Sequence, residues 1–209
     1  DMLVNDAISY MEKMGAEIIH LENIVSGTPF TDSRTIMAYE FKDGINKYLN
    51  DLGETKPAND LSDLIKLTYL DSIEMKYFNL SRMENSNSKG DLSNEEYTLA
   101  LSEVQKNYGE NGIDKVMDEN LLDAIICPTG SPAWKTDLIN GDNFKLSSSV
   151  YAALSGYPNI TIPMGFIENL PVGISFFGRK WSEPSLIEIA YSYEQGTKHR
   201  KAPQFFETD

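Results

Sequence analysis

The chain has 209 residues, 41% of them hydrophobic, and a formal charge of −14 from 18 basic and 32 acidic side chains. That length suits one large domain with a real core. The acidic surface is spread along the whole chain and argues against a nucleic-acid backbone or an anionic membrane as partner, since both call for clustered Lys and Arg. A single cysteine, Cys127, excludes an internal disulfide framework and fits a reducing, cytoplasmic compartment.

In chain order, Val4, Ala7, Ile8 and Met11 recur at helical spacing, with Gly15 as a stop. Residues 16–20 (Ala-Glu-Ile-Ile-His) read as a short strand. A helix feeding a strand is the second half of an α/β unit, so the chain, which starts at Asp1, is expected to be the carboxy-terminal portion of something longer. Thr31-Asp-Ser33 offers cap oxygens for a helix reaching Leu52, and Asp60 and Ser62 offer them for a helix from Leu61 to Leu70. A further helical stretch is expected from Ser72 to about Met83, and a polar loop from Glu84 to Ser93. Tyr97, Ala100, Leu101, Val104 and Tyr108 mark another amphipathic helix ending near Gly109, and Ile113, Val116 and Met117 extend the helical pattern.

From Asp123 the pattern changes. Ile125-Ile126 and Ile160-Thr-Ile162 are the runs of strands covered on both faces. Val172, Ile174 and Phe176 alternate with Gly173, Ser175 and Phe177 in a third strand, close enough to the second to form a hairpin. A closing helix from Ser182 to His199 carries Leu186, Ile189, Ala190 and Tyr193 on its core face, with cations at its end. The expected architecture is α/β: a mixed β-sheet flanked by helices in one domain over residues 1–209, of which 1–122 are mainly helical and 123–200 strand-rich.

Few residues suggest chemistry on their own. Ser147-Ser148-Ser149 could hold a nucleophile, but three serines before an apolar helical run are better read as a helix cap. Cys127 within an apolar strand reads as a small buried hydrophobe. His20 and His199 fit no Ser-His-Asp or metal set. Asn85 to Glu96 has the spacing of a calcium loop, yet Lys89 falls on a ligand position and Asn85 removes the leading carboxylate, so the loop reading is preferred. No metal and no organic cofactor is implied.

Asp123-Ala-Ile-Ile-Cys-Pro-Thr129, Ser155-Gly-Tyr-Pro158 with Ile160-Thr-Ile-Pro163, and Leu170-Pro-Val-Gly-Ile174 with Gly178-Arg179 and Trp181-Ser-Glu183 together resemble the carboxy-terminal region of the amidase signature family. Glu40-Phe41-Lys42 followed by Tyr48-Leu49 echoes a mid-chain helix of that family. The resemblance implies a hydrolase acting on carboxylic amides through a serine nucleophile, a cis-peptide serine and a lysine base. It also implies that those groups sit in a missing amino-terminal half, in or beside a Gly-Gly-Ser-Ser-Gly-Gly-type stretch. No such stretch occurs here, so no catalytic residue is assigned and the chain alone is expected to be inactive. The loop after Pro128, with Thr129, Ser131 and Trp134, either lines the substrate pocket or packs on itself. The alternatives are a non-catalytic subunit reusing the half-fold and the amidase subunit of a tRNA-dependent amidotransferase. Parted from the other half, the chain is expected to self-associate through uncovered apolar faces or strand edges.

Overall fold

The computed structural model describes residues 2–25 and 30–204, with the side chains of all of these except residues 30–32. The chain forms two compact units, residues 1–26 with 105–209, and residues 27–104. No helix among the described residues is long and apolar enough to cross a membrane.

The unit of residues 27–104 is helical: α2 (Phe30–Asp51), α3 (Leu61–Tyr69), α4 (Ser81–Asn87) and most of α5 (Glu95–Tyr108). Its core joins Leu61, Ile65 and Leu80 to Ile45, Met75 and Met83. Asp60 caps α3 as expected, its carboxylate accepting the Asp63 N–H at 2.9 Å from an extended backbone. The Asn46 carboxamide accepts the Leu61 N–H at 2.8 Å and so ties α2 to the start of α3. The cap expected at Thr31-Asp-Ser33 lies outside the described residues at Thr31 and Asp32, whereas Ser33 is buried in the first turns of α2, which begins at Phe30.

The helix expected from Ser72 to Met83 is broken. The Asp71 carboxylate accepts the N–H of Ile73 at 2.8 Å and of Glu74 at 3.3 Å, winding a 3-10 turn over Glu74–Lys76. The Asn79 carboxamide then takes the Ser81 N–H at 3.1 Å, and α4 starts there. Short polar side chains that bond nearby backbone compete with a continuous helix, and here they divide it. The loop expected from Glu84 accordingly begins later, since α4 runs to Asn87.

Within this unit Tyr39 donates to Glu96 at 2.6 Å, and Lys89, 3.0 Å from the same carboxylate, lies 5.3 Å over the Tyr39 ring. A cation of the protein itself thus sits on the Glu that would close a calcium loop. Lys42 donates to the carbonyls of Asn87 (3.0 Å) and Lys89 at the end of α4, while Tyr97 donates to Glu40 at 2.9 Å. The Glu-Phe-Lys phrase is therefore a brace between helices.

The other unit has α1 (Met2–Lys13), a π-helical turn (Gly109–Asp114), α6 (Lys115–Asn120), β1 (Ile125–Pro128), α7 (Ser149–Ser155), β2 (Asn159–Ile167), β3 (Leu170–Phe177) and α8 (Glu183–Thr197). Residues 16–20 are not the expected strand. They are irregular and pair with none of the described strands, and an extended run is a strand only where its N–H and C=O groups find a ladder.

The strand order is β1-β3-β2 and both pairings are antiparallel. The α/β character holds, but the expected mixed sheet is, among the described residues, antiparallel throughout. The reason is topological. The crossover through α7 makes β1 and β2 point the same way, but the two-residue turn at Glu168-Asn169 folds β3 back between them, so every contact is antiparallel. On one face Val172, Ile174 and Phe176 pack against Ala7 of α1 and Leu186, Ala190 and Tyr193 of α8. On the other, Phe177 and Ile125 pack with Ile113 and Met117, and the Tyr151 ring of α7 stacks on Phe177 at 5.9 Å. Both faces are covered, as the two alternating sets of β3 residues require.

Candidate functional site: a hydroxyl-lined cleft beside helix α7

Cys127, Ser175 and Thr161 lie side by side across the sheet, one from each strand, because Ser175 is in register with both of the others. Register partners share a face, and this is the face covered by α7. Thr129 follows β1 directly. Its N–H donates to the Gly173 carbonyl at 2.8 Å, and its own carbonyl accepts the Ser148 N–H at 2.9 Å. Gly130 and Ser147 form an antiparallel bridge next to this contact, so the long 131–146 loop is closed at its base.

These backbone ties gather four hydroxyls. Ser148 Oγ and Ser175 Oγ are 2.8 Å apart, Ser175 Oγ and Thr129 Oγ1 are 2.9 Å apart, and Thr129 Oγ1 bonds Thr161 Oγ1. Thr161 Oγ1 also donates to the Ile174 carbonyl at 3.3 Å. Ser175 is completely buried and Ser148 nearly so, whereas Thr161 is exposed. The chain of hydroxyls thus runs from the interior to an open cleft of about 450 Å³, whose wall includes Ala152, Tyr157 and Asn159. Room for it depends on Gly173: a Cβ there would stand 2.8 Å from Thr129 Oγ1 and 2.9 Å from Thr161 Oγ1.

Tyr157 enters the cleft wall from the turn after α7. Burial, and then its 2.6 Å hydrogen bond to the Asp114 carboxylate, push its phenol up to about 12. Arg179 holds the acidic side of this contact, donating to Asp118 at 2.7 Å and lying 3.9 Å from Asp114. Asp114 ends the π-helical turn, an irregularity that shifts a carboxylate relative to its helix.

The residues singled out in the sequence are placed as follows. Thr129 is a central member of the hydroxyl chain and lines the cleft. Ser131 has a hydroxyl that is shielded from solvent and lacks a hydrogen-bond partner. Trp134 donates its indole N–H to Asp142 at 3.1 Å and packs edge-on to Phe144 at 6.2 Å, within the loop itself. Ser148 occupies the position before α7, but its side chain makes no capping bond and turns instead to Ser175. The cap reading of the serine triplet thus holds at Ser147, whose hydroxyl accepts the N–H of Ser149, the first residue of α7, at 3.2 Å, and is corrected at Ser148. The N–H of Ser148 is held by the Thr129 carbonyl and its backbone lies in the helical region, whereas a capping side chain needs an extended one. Ser175, Thr161 and Gly173 escaped the sequence reading. The signal for Gly173 and Ser175 was two small residues on the inward face of an otherwise bulky strand.

Cys127 packs beside Ile125 and Phe177, and burial raises its thiol from 9.0 to about 11. Its proton stays on in the folded state through pH 9, so the associated stability is complete below that value and is lost as pH rises through about 11. Reaction with a disulfide reagent such as DTNB at pH 8 is expected to be much slower than for a free thiol, and to accelerate towards pH 11 or on denaturation. A rate at pH 8 equal to that of free cysteine would refute this placement.

A second, smaller depression of about 270 Å³ lies between α1 and α8, with Leu3, Tyr10, Met164 and Tyr193 in its wall. Its wall is mainly apolar, with Asp6, Thr197 and His199 as its polar members, and it holds none of the hydroxyl chain.

The profile of the family described as Amidase matches residues 1–187. A probable amidase of Arabidopsis thaliana is 34% identical over 212 residues, covering 97% of this chain and 38% of that protein. The X-ray structure of the native peptide amidase from Stenotrophomonas maltophilia superposes with a TM-score of 0.86 at 35% identity, over 97% of this chain and 41% of that one. A glutamyl-tRNA(Gln) amidotransferase component from Clostridium acetobutylicum is 39% identical over 82 residues, covering 37% of this chain and 17% of that protein. The chain thus spans about two fifths of the length of the first two relatives. On the match over residues 1–187, this chain belongs to the amidase signature family.

Proposed function

We propose that this chain is part of an enzyme that hydrolyses carboxylic amides, with peptide amides the first class to test. The observation that carries this reading is the likeness to a peptide amidase over 97% of the chain at 35% identity. The likeness to amidotransferases is confined to 37% of the chain in the example from Clostridium acetobutylicum, which favours a free-standing amidase over a tRNA-linked one.

In this reading a serine hydroxyl attacks the amide carbonyl, a bridging serine passes its proton to a lysine, and the C–N bond breaks as the nitrogen is protonated. Water then releases the acid from the acyl-enzyme. The nucleophile, bridging serine and lysine come from polypeptide outside these 209 residues. This is supported by the absence of a Gly-Gly-Ser-Ser-Gly-Gly stretch from the sequence and by the engagement of Ser148 and Ser175 with other hydroxyls rather than with a base. The present chain contributes the sheet and the hydroxyl-lined wall.

The purified 209-residue chain is expected to release no ammonia from an N-acetyl dipeptide amide above the buffer rate. Co-expression with an upstream polypeptide carrying the lysine and the glycine–serine stretch is expected to restore release. Turnover by the chain alone, abolished in a folded Ser148→Ala variant, would overturn the assignment.

A further inference from the structure

The hydroxyl chain has a direction, and the direction selects a ligand. Each Ser or Thr hydroxyl has one proton to give and two lone pairs to receive with. Thr161 gives its proton to the Ile174 carbonyl. The bond between Thr129 and Thr161 must then use the proton of Thr129, the bond between Ser175 and Thr129 that of Ser175, and the bond between Ser148 and Ser175 that of Ser148. Reversing the order would leave the proton of Ser148, which is only 4% exposed, buried without an acceptor. Tyr157 likewise donates away from the cleft, to Asp114. These oxygens therefore face the cleft with lone pairs only. Unspent protons remain on the outer side chains, in the Ser147–Ser149 pair, which shares a single bond between its hydroxyls, and on the Asn159 carboxamide.

We propose that the cleft holds its ligand by accepting hydrogen bonds from N–H, and that the group it recognises is the –NH2 of a primary carboxamide. That this group belongs to the substrate rests on the amide-hydrolysis reading; the recognition itself does not. Thr161 and Thr129 are the receiving oxygens, since Thr161 is exposed and Thr129 lines the same cleft, while Ser175 and Ser148 behind them fix the direction. These residues set specificity and take no part in bond breaking.

Binding to the 209-residue chain can be followed by NMR, with benzamide as the probe and methyl benzoate as a control that keeps the ring and carbonyl but has no N–H. Benzamide is expected to shift the amide resonances of Thr129, Ser149 and Thr161, and methyl benzoate to leave them in place at the same concentration. Thr161→Val, which keeps the branched shape on an exposed strand position, is expected to weaken benzamide about tenfold, the effect of losing one acceptor. It also frees the proton of Thr129, so methyl benzoate is expected to gain. Thr161→Ser keeps the hydroxyl and is expected to bind as the parent does. Equal binding of the two probes, no binding of benzamide, or benzamide affinity unchanged in a folded Thr161→Val variant would each overturn the proposal. The measurement is an equilibrium one, so its failure leaves amide hydrolysis standing, and failure of hydrolysis leaves the binding preference standing.

Discussion

Replacing Phe176 by alanine is expected to destabilise the unit that carries the cleft by about 3–5 kcal/mol, the range for removing a fully buried aromatic ring. Phe176 is completely buried at the centre of the sheet, in register with Ile126 on one side and Ile160 on the other. Its ring lies 6.1 Å from that of Tyr193 in α8, so the strand and the helix would share the void. Because β3 is the one described strand with two neighbours, it has no free side on which to relax. A loss of this size is a large part of the ~5–15 kcal/mol that keeps a domain folded. Urea unfolding followed by circular dichroism should move its midpoint down by more than about 1 M, given slopes of about 1–3 kcal/mol/M. Tyr191→Ala, on the solvent side of α8 at 62% exposure, should stay within about 0.5 kcal/mol of the parent. Equal midpoints for the two variants would show that Phe176 is not at the core.

What could be read from the sequence, and what could not, follows from how far apart the deciding partners are. The alternation of Val172, Ile174 and Phe176 is local, and it located both covered faces of the central strand. The cap of Asp60 on α3 is equally local, with donor and acceptor three residues apart. The serine triplet offered the same local signal, which Ser147 follows by accepting the Ser149 N–H, but Ser148 led elsewhere, because it meets a partner 27 residues away in Ser175 and another across the Gly130–Ser147 bridge. A rule about capping residues weighs only the helix that follows; it has no access to a carbonyl brought in by another loop. The broken helix after Asp71 is a different case, since Asp71 and Asn79 carried the signal in the sequence and the helical spacing of the apolar residues masked it. Of the candidate site, Thr129 was legible through its place at the end of a strand, and Ser148 and Ser149 only as members of a triplet read as a cap. Its partners Thr161, Ser175 and Gly173 acquire meaning only once the register of three strands is known.

Gly173 offers the sharpest test of that register. A glycine within a strand usually costs stability, and alanine there would restrict the unfolded chain and favour folding by about 0.4–1 kcal/mol. Here the added Cβ would lie 2.8 Å and 2.9 Å from the hydroxyl oxygens of Thr129 and Thr161, and 3.2 Å from the Thr129 Cβ, which no rotamer change can move. Relief requires Thr129 to shift and at least one of its side-chain bonds to open, exposing the buried Ser175 to an unmet hydrogen bond. Crowding of this kind costs about 1–3 kcal/mol, so Gly173→Ala is expected to be net destabilising despite the gain in the unfolded state. The cause can be isolated by a cycle with Thr161→Ala, which removes one of the two opposing oxygens. If the clash is the reason, the double variant should be more stable than the sum of the single losses predicts, by more than about 0.5 kcal/mol. Strict additivity, or a Gly173→Ala variant as stable as the parent, would mean that the threonine hydroxyls do not converge over Gly173, and the hydroxyl chain built on that convergence would fall with it.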